Sequence, residues 1–440
     1  MNPLLDTLLE RLHAFPPARH YRVAYSGGCD SHVLLHALAA IRDRLPASTI
    51  SALHVNHGLT EEADQWAAHC ERVAAGLGVA CQVVEVDAMG EAGESPEAAA
   101  RQARYHVFEQ VLEDGEGLLL AHHEEDQAET LLLQLFRGAG VRGLAAMPPH
   151  TAFGRGWLGR PLLGVSRQTL REHARAAGLR WIEDPANRSV DFDRNFLRHR
   201  IFPELRSRWP ALARTLARAA RHQAAAGRLL DGLAAADRAA AAGSRGGCLS
   251  IRSLRGLDRD RRDNLLRYWI REQDAPLPSS AQLRRIHDEV LPAREDAQPR
   301  VGWGGFAVRR YRDDLYLLKE PLAESETQAW DLREDLRLAD GRRLRVTRQR
   351  GAGLAAALLG REDITVRFRR GGEVCRPAGR GRTRRLKSLW QEWGVPPWER
   401  GRVPLIYAGG ELAQVTGYCV CEPWQAGAGE DGLVITESRD

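Results

Sequence analysis

Over the first 190 of its 440 residues, the chain alternates short strand-like runs rich in apolar residues with longer stretches whose apolar positions recur every three to four residues. The runs are Tyr21 to Tyr25, Ile50 to Val55, Ala80 to Val86 and Gly117 to Ala121. The periodic stretches are Ser31 to Ile41, Glu61 to Leu77, Ser95 to Leu112 and Glu124 to Phe136. Runs of that length predict buried strands, and a 3.6-residue spacing predicts helices. Ser95-Pro96-Glu97 adds a helix start, with proline where its missing N–H does no harm. Strand–helix repetition of this kind predicts an α/β fold built on a doubly wound parallel sheet. Ligands in such folds bind beyond the carboxyl ends of the strands, where the polar segments "SGGCDS", "NHG" and "HHEEDQ" all fall.

The pattern changes near Asn195, becoming helical and arginine-rich through an alanine-dense stretch from Ala211 to Ala242. Gly243 to Gly247 breaks it, and further helical pieces lead to a hairpin expected from Phe306 to Tyr311 and Leu315 to Leu318, around Asp313-Asp314. A polar connector at Glu320 to Gln328 precedes a β-rich end. We therefore expect three domains: an α/β domain over 1–208, a mainly helical middle domain over 209–325, and a small α+β domain over 326–440. No repeat of fixed period is present.

Composition narrows the class. With 43% hydrophobic and 28% charged residues the chain reads as globular, and no apolar run reaches the roughly 18 residues of a membrane span. Leu4, Leu5, Leu8, Leu9 and Leu12, with Asp6 and Glu10 between them, read as an amphipathic helix rather than a signal peptide, so a cytoplasmic protein is expected. The seven cysteines form no Cys-x-x-Cys pair and read as free thiols. Cys419 and Cys421 read as alternate residues on one strand face rather than a metal clip. The net charge is +5 and almost entirely arginine, the only lysines being Lys319 and Lys387. The N-terminal half thus has no Walker lysine.

That absence gives "SGGCDS" its interest. Gly27 and Gly28 let the backbone turn its N–H groups toward an anion, Ser26 and Ser31 add hydroxyls, and a helix N-terminus follows. Asp30 would repel bare phosphate, so it fits only if Mg2+ arrives with the nucleotide. In "AHHEEDQAET", His122 and His123 end a strand while Asp126 and Glu129, three apart, share a helix face. Glu125 is expected to point elsewhere. Paired carboxylates beside histidines suit a cationic amine and removal of its proton.

Ser-Gly-Gly-x-Asp-Ser resembles the pyrophosphate loop of the ATP pyrophosphatase superfamily, whose members split ATP between its α and β phosphates. Together with "HVNHGLT", "ARQARY", "RPLL", "IEDPANRSVDFDRNFLRHRIFPEL" and "LKSLWQEWGVPPWERGRVPLI", in that order, it resembles the tRNA(Ile)-lysidine synthase family over nearly the whole chain. Glu125 and Thr60 depart from residues common in that family. The resemblance implies an adenine nucleotide α-hydrolase-like sheet and a two-step reaction. The wobble cytidine of a CAU-anticodon isoleucine tRNA is adenylated with loss of pyrophosphate, and free L-lysine then displaces AMP at carbon-2. It also implies ATP contacts from Ser26, Gly27, Gly28, Cys29, Asp30, Ser31, Arg101, Arg104 and Arg194, with magnesium at Asp30. Lysine would be bound by Asp126 and Glu129, and its proton taken by His123 or Asp126.

For tRNA the expectation is Asn195 and Arg198 near the anticodon, and Arg369, Arg380, Arg384, Arg385 and Lys387 at the acceptor end. Trp390, Trp393 and Trp398 stand near these basic residues as stacking platforms. The alanine- and arginine-rich helices offer a surface for a homodimer. Two other readings share the loop: a tRNA thiolase, which would call for paired cysteines, and a catalytically silent RNA-binding protein.

Overall fold

The protein is described here by a computed structural model, covering residues 3–45, 49–58, 62–86, 96–185, 189–295, 297–320 and 326–439. Thr60, Glu61, Ser95, the 186–188 portion of the "DPANRS" motif and most of the connector at 320–328 lie outside the described residues. The chain divides into two compact units, Met1–Leu233 and Ala234–Asp440.

In the first unit the elements are α1 (Pro3–His13), β1 (His20–Ala24), α2 (Cys29–Ala40), β2 (Thr49–Asn56), α3 (Ala63–Gly76), β3 (Ala80–Glu85), α4 (Pro96–Val111), β4 (Glu116–Leu119) and α5 (Glu124–Phe136). There follow α6 (Val141–Leu144), a hairpin of β5 (His150–Phe153) and β6 (Gly156–Gly159), α7 (Arg167–Ala176), α8 (Asp193–Phe196), α9 (Phe202–Arg208) and α10 (Leu212–Ala240). The sheet runs β3-β2-β1-β4-β6-β5. It is parallel except at its edge, where β5 lies antiparallel to β6. The doubly wound, mostly parallel sheet expected from the strand–helix repetition is there, with one antiparallel strand added at its edge. The hairpin escaped the apolar pattern because β5 is largely exposed and breaks the run of hydrophobic residues.

Helices cover both faces. Leu4, Leu8 and Leu12 of α1 pack with Val33, Leu34 and Leu38 of α2 over one face, whereas Phe108 and Leu112 of α4 join Leu53, Leu118 and Leu158 on the other. Gly117 has to be a glycine, since a Cβ there would come within 2.4 Å of the Trp157 ring on the neighbouring strand. The strand order reverses between β1 and β4, which are neighbours although their crossovers lead to opposite sides. A crevice opens at such a switch point, and the segments that follow these two strands are the glycine loop and the His-His pair.

The second unit holds two kinds of assembly. A four-stranded antiparallel sheet, ordered Leu249–Ser250, Asp314–Lys319, Phe306–Tyr311 and Arg300–Trp303, shares a core with the helices Ile251–Gly256, Arg259–Arg271 and Ser280–Arg285. The expected hairpin is there, its turn at Arg312-Asp313 rather than Asp313-Asp314, because Asp314 is already paired in the strand. Farther along, a five-stranded sheet (Gln328–Ala329, Ile364–Arg367, Leu405–Ala408, Glu411–Val415, Cys419–Val420) and a four-stranded one (Leu336–Arg337, Arg342–Arg350, Asp431–Arg439, Leu354–Ala355) enclose a shared core.

Candidate active site

The glycine loop closes on itself. Ser31 Oγ accepts from the Ser26 backbone N–H at 3.2 Å and stands 3.1 Å from Ser26 Oγ, so the two serines staple the turn. Gly27 takes φ +79°, where a side chain is strained, and a Cβ there would meet Ile182 at 2.6 Å. No side chain caps the start of α2, which leaves its dipole facing the loop. Two clefts meet here. One, of ≈ 390 Å³, is lined by Tyr25, His54, His57, Arg104, His122 and Asp126 as well as the loop. The other, of ≈ 450 Å³, has Arg167, Arg171 and Arg198 on its walls. Ser26, Asp30 and Ser31 border both.

Across the crevice, His123 is 1% exposed and surrounded by three carboxylates. Its Nε2 lies 3.5 Å from Asp30 Oδ2 and 3.4 Å from Asp126 Oδ2, while Nδ1 lies 3.2 Å from Glu125 Oε2. Burial alone would lower its pKa, but Asp126, then Asp30 and Glu125, overcome that and raise it to about 10. At neutral pH His123 is therefore an imidazolium, with no lone pair to take a proton. The expectation that Glu125 points away is corrected here. It grips the other ring nitrogen and accepts the Arg167 backbone N–H at 2.9 Å. Its extra methylene gives it that reach.

Asp126 and Glu129 do share a face of α5, and both are buried. Glu129 accepts from Arg194 Nε and Arg198 Nε, each at 2.8 Å, while Asp126 Oδ1 accepts from Arg198 at 3.1 Å. Burial opposes ionisation of Asp126, but His123 and the two arginines hold its carboxyl well below the usual carboxylate range. Arg194 and Arg198 sit one helical turn apart, with Arg198 in a π-helical turn over Leu197–Ile201. The two carboxylates expected to meet a substrate amine are thus already neutralised by guanidinium groups from the chain itself. Sequence could not have shown this, since the partners are more than 60 residues away.

The remaining expected residues separate. Arg104 donates to His57 Nε2 at 3.3 Å, a nitrogen left neutral because burial, then Arg104, pushes that histidine down to about 4. Arg101 is exposed, folds over the Tyr105 ring at 4.8 Å, and lines neither cleft. Arg194 lines neither, and Asn195 is half-buried on α8. Cys29 is half-buried, its thiol pushed up to about 11 by burial and then by Asp30, so it stays protonated. Arg167 and Arg171 were not anticipated. Their four-residue spacing puts both on one face of α7, but in so arginine-rich a chain that spacing carried no signal.

In the second unit, Arg369, Arg382, Arg385 and Lys387 have no ion pair among the described residues, whereas Arg380 and Arg384 both bind Glu392. The tryptophan platforms are corrected. Trp390 is fully buried, and Trp398 is buried against Tyr311 and Tyr316. Only Trp393 keeps a partly open face, stacked on Tyr418 at 5.1 Å.

Comparison with known proteins fits this arrangement. Residues 3–205 match a family model described as a PP-loop domain, 249–316 a TilS substrate binding domain, and 364–437 a TilS substrate C-terminal domain. The tRNA(Ile)-lysidine synthase of Coxiella burnetii is 42% identical over 97% of this chain and 95% of its own length. The chain belongs to the tRNA(Ile)-lysidine synthase family. The Methylococcus capsulatus member is 45% identical over 94% of each chain. Among solved structures, the U34-tRNA thiolase NcsA from Methanococcus maripaludis, with its [4Fe-4S] cluster, aligns at 18% identity and TM-score 0.42 over 50% of this chain and 77% of that one. Membership makes this synthase an ATP-dependent ligase whose first unit carries the ATP-binding PP-loop domain.

Proposed function

We propose that this site joins the ε-amine of free L-lysine to carbon-2 of the wobble cytidine in a CAU-anticodon isoleucine tRNA. The observation that carries the reading is a stapled, lysine-free anion turn whose single carboxylate, Asp30, lies 3.5 Å from a buried imidazolium. Such a turn suits pyrophosphate as a leaving group. ATP lies in the cleft beside Arg104 with its outer phosphates on the Ser26–Ser31 turn. The cytidine oxygen attacks the α phosphorus, pyrophosphate departs, and the adenylated base then exchanges AMP for lysine.

Asp30 is where Mg2+ fits, because its buried Oδ1 has no hydrogen-bond partner. A bound magnesium ion there would neutralise charge on the phosphates. Asp30 would hold the cation, while the His123 ring, 3.5 Å away, faces the same carboxylate and keeps its position defined. Arg167 and Arg171 supply positive charge to the second cleft, suited to the released pyrophosphate.

The lysine step is the demanding one. An amine with a pKa near 10.4 is neutral in only about one molecule in a thousand at pH 7.4, a deficit of roughly 4 kcal/mol. Asp126 and Glu129 receive the ammonium, which takes over charge now supplied by Arg194 and Arg198. With His123 already protonated, Asp126 is the acceptor that remains of the two, and it takes the proton only once the guanidinium groups that hold its carboxyl low have moved off it. In this reading the chain has three domains, meeting at 208 and 325, the basic residues of the last take the acceptor end of the tRNA, and the reaction runs in the cytoplasm.

Incubating the protein with ATP, labelled lysine and tRNA tests the reading. Label should enter the CAU-anticodon isoleucine tRNA and not the methionine tRNA, with AMP and pyrophosphate formed. Release of ADP, or equal labelling of both tRNAs, would exclude it.

A further inference from the structure

Outside the active site, the described residues bring one group of metal-ligating side chains into register: Cys375, Cys419 and Cys421, whose sulfurs all lie within 4.8 Å of one another. Cys375 and Cys419 sulfurs are 3.7 Å apart. All three are free thiols.

The backbone fixes their positions. Cys419 and Cys421 are alternate residues of one extended segment, so their side chains leave the same face. That segment is held on both sides. Cys421 N–H donates to Ala413 O at 2.8 Å, whereas Ala378 N–H donates to Val420 O at 3.0 Å and Glu422 N–H to Arg376 O at 2.8 Å. Cys375 is itself paired across from Arg384 in a short antiparallel ladder. The three thiols therefore converge from two stretches some 44 residues apart in sequence, each stretch tied by main-chain hydrogen bonds.

Core packing accounts for two of the thiols, since Cys375 and Cys421 are 2% and 1% exposed among Leu386, Leu389 and Trp390. Cys419 is half-open at the edge of that core and completes the triangle. Three sulfurs bound to a tetrahedral zinc ion at about 2.3 Å would stand about 3.8 Å apart. The observed separation is already near that figure. An all-sulfur donor set excludes a hard cation such as magnesium and selects a thiophilic one.

We propose that Cys375, Cys419 and Cys421 form a zinc-binding site, with the open side at Cys419 left for a fourth ligand such as water. On binding, the thiols give their protons to solvent and the thiolates close on the metal. The ion ties the strand at Cys419–Val420 to the base of the segment 376–384, which carries Arg376, Arg380, Arg382 and Arg384. Zinc would thus set the position of that basic segment without touching the reacting groups.

The test uses the full-length protein, reduced, stripped by a chelator and titrated with Co2+ alone. One equivalent should give the sulfur-to-cobalt charge-transfer band and the visible bands of a tetrahedral site, and Zn2+ should then bleach them. Cys419→Ser, on the half-open thiol and so least disruptive to folding, should lose the bands. Cys81→Ser, on β3 of the other unit, should keep them, and circular dichroism should show both variants folded. Absence of the bands in the parent protein, or their survival in Cys419→Ser, overturns the proposal. So does a Cys375–Cys419 disulfide in protein prepared under reducing, anaerobic conditions.

Discussion

His123 is the residue on which the chemistry of the crevice turns, and its charge state follows from its neighbours rather than its type. Three carboxylates raise its pKa from 6.5 to about 10, so its ion pairs stabilise the fold fully below about pH 6.5 and fade as pH rises through 10. Replacing it by glutamine should therefore destabilise the protein strongly at pH 7 and much less at pH 10.5, read as the gap between two thermal unfolding curves. A gap that stays constant would mean the imidazole is neutral throughout. Asp126 carries the opposite signature, with its stabilising contribution lost as pH falls below the ordinary carboxylate range. In Asp126→Asn the lysine concentration for half-maximal rate should rise. Charged hydrogen bonds of about 1.5–3 kcal/mol correspond to roughly tenfold to a hundredfold. Steady-state kinetics should find the ATP requirement changed far less than the lysine requirement, since the proposed phosphate contacts sit on the Ser26–Ser31 turn. Asp126 and Glu129 were legible in the sequence as a pair, because three residues on a helix is a local relation. Their neutralisation by Arg194 and Arg198 was not, because it joins α5 to residues beyond α7.

Among elements, the turn from β1 into α2 makes a strict backbone demand at the site itself. Gly27→Ala meets both a left-handed φ and the Ile182 side chain at 2.6 Å. A strained backbone position alone costs roughly 1–3 kcal/mol. Gly178 has a similar φ of +64° but open space around it. Gly27→Ala should therefore lose more stability in urea than Gly178→Ala, and should also weaken ATP binding, which Gly178→Ala should leave intact. Equal losses would show that the loop can relax. Strands β1 to β4 and the helices between them were readable to within about two residues, because short runs rich in apolar residues alternate with helical spacing along that part of the chain. The edge hairpin of β5 and β6 was not, since one strand faces solvent and its pairing depends on β4 already being in place.

At the scale of the whole molecule, the first unit gathers the phosphate chemistry and the second presents unpaired basic side chains. Replacing Arg382, Arg385 and Lys387 together by alanine should weaken isoleucine and methionine tRNA alike. It should also flatten the salt dependence of binding by about two to three, at 0.7–0.9 per phosphate contact. Filter binding at several salt concentrations checks this, and unchanged affinity would assign those residues to a plain solvated face. What the sequence determined on its own were the relations carried by neighbours along the chain: the strand–helix rhythm, the glycine turn, the carboxylate pair one helical turn apart, and the ordered motifs. The tertiary structure alone decided which charges meet. It kept His123 protonated by surrounding it with carboxylates, occupied Asp126 and Glu129 with arginines, turned two tryptophans inward and brought Cys375 to Cys419 and Cys421. Local patterns follow from backbone geometry within a few residues. Charge, burial and coordination depend on what the fold packs against a group, and that is set by residues far along the chain.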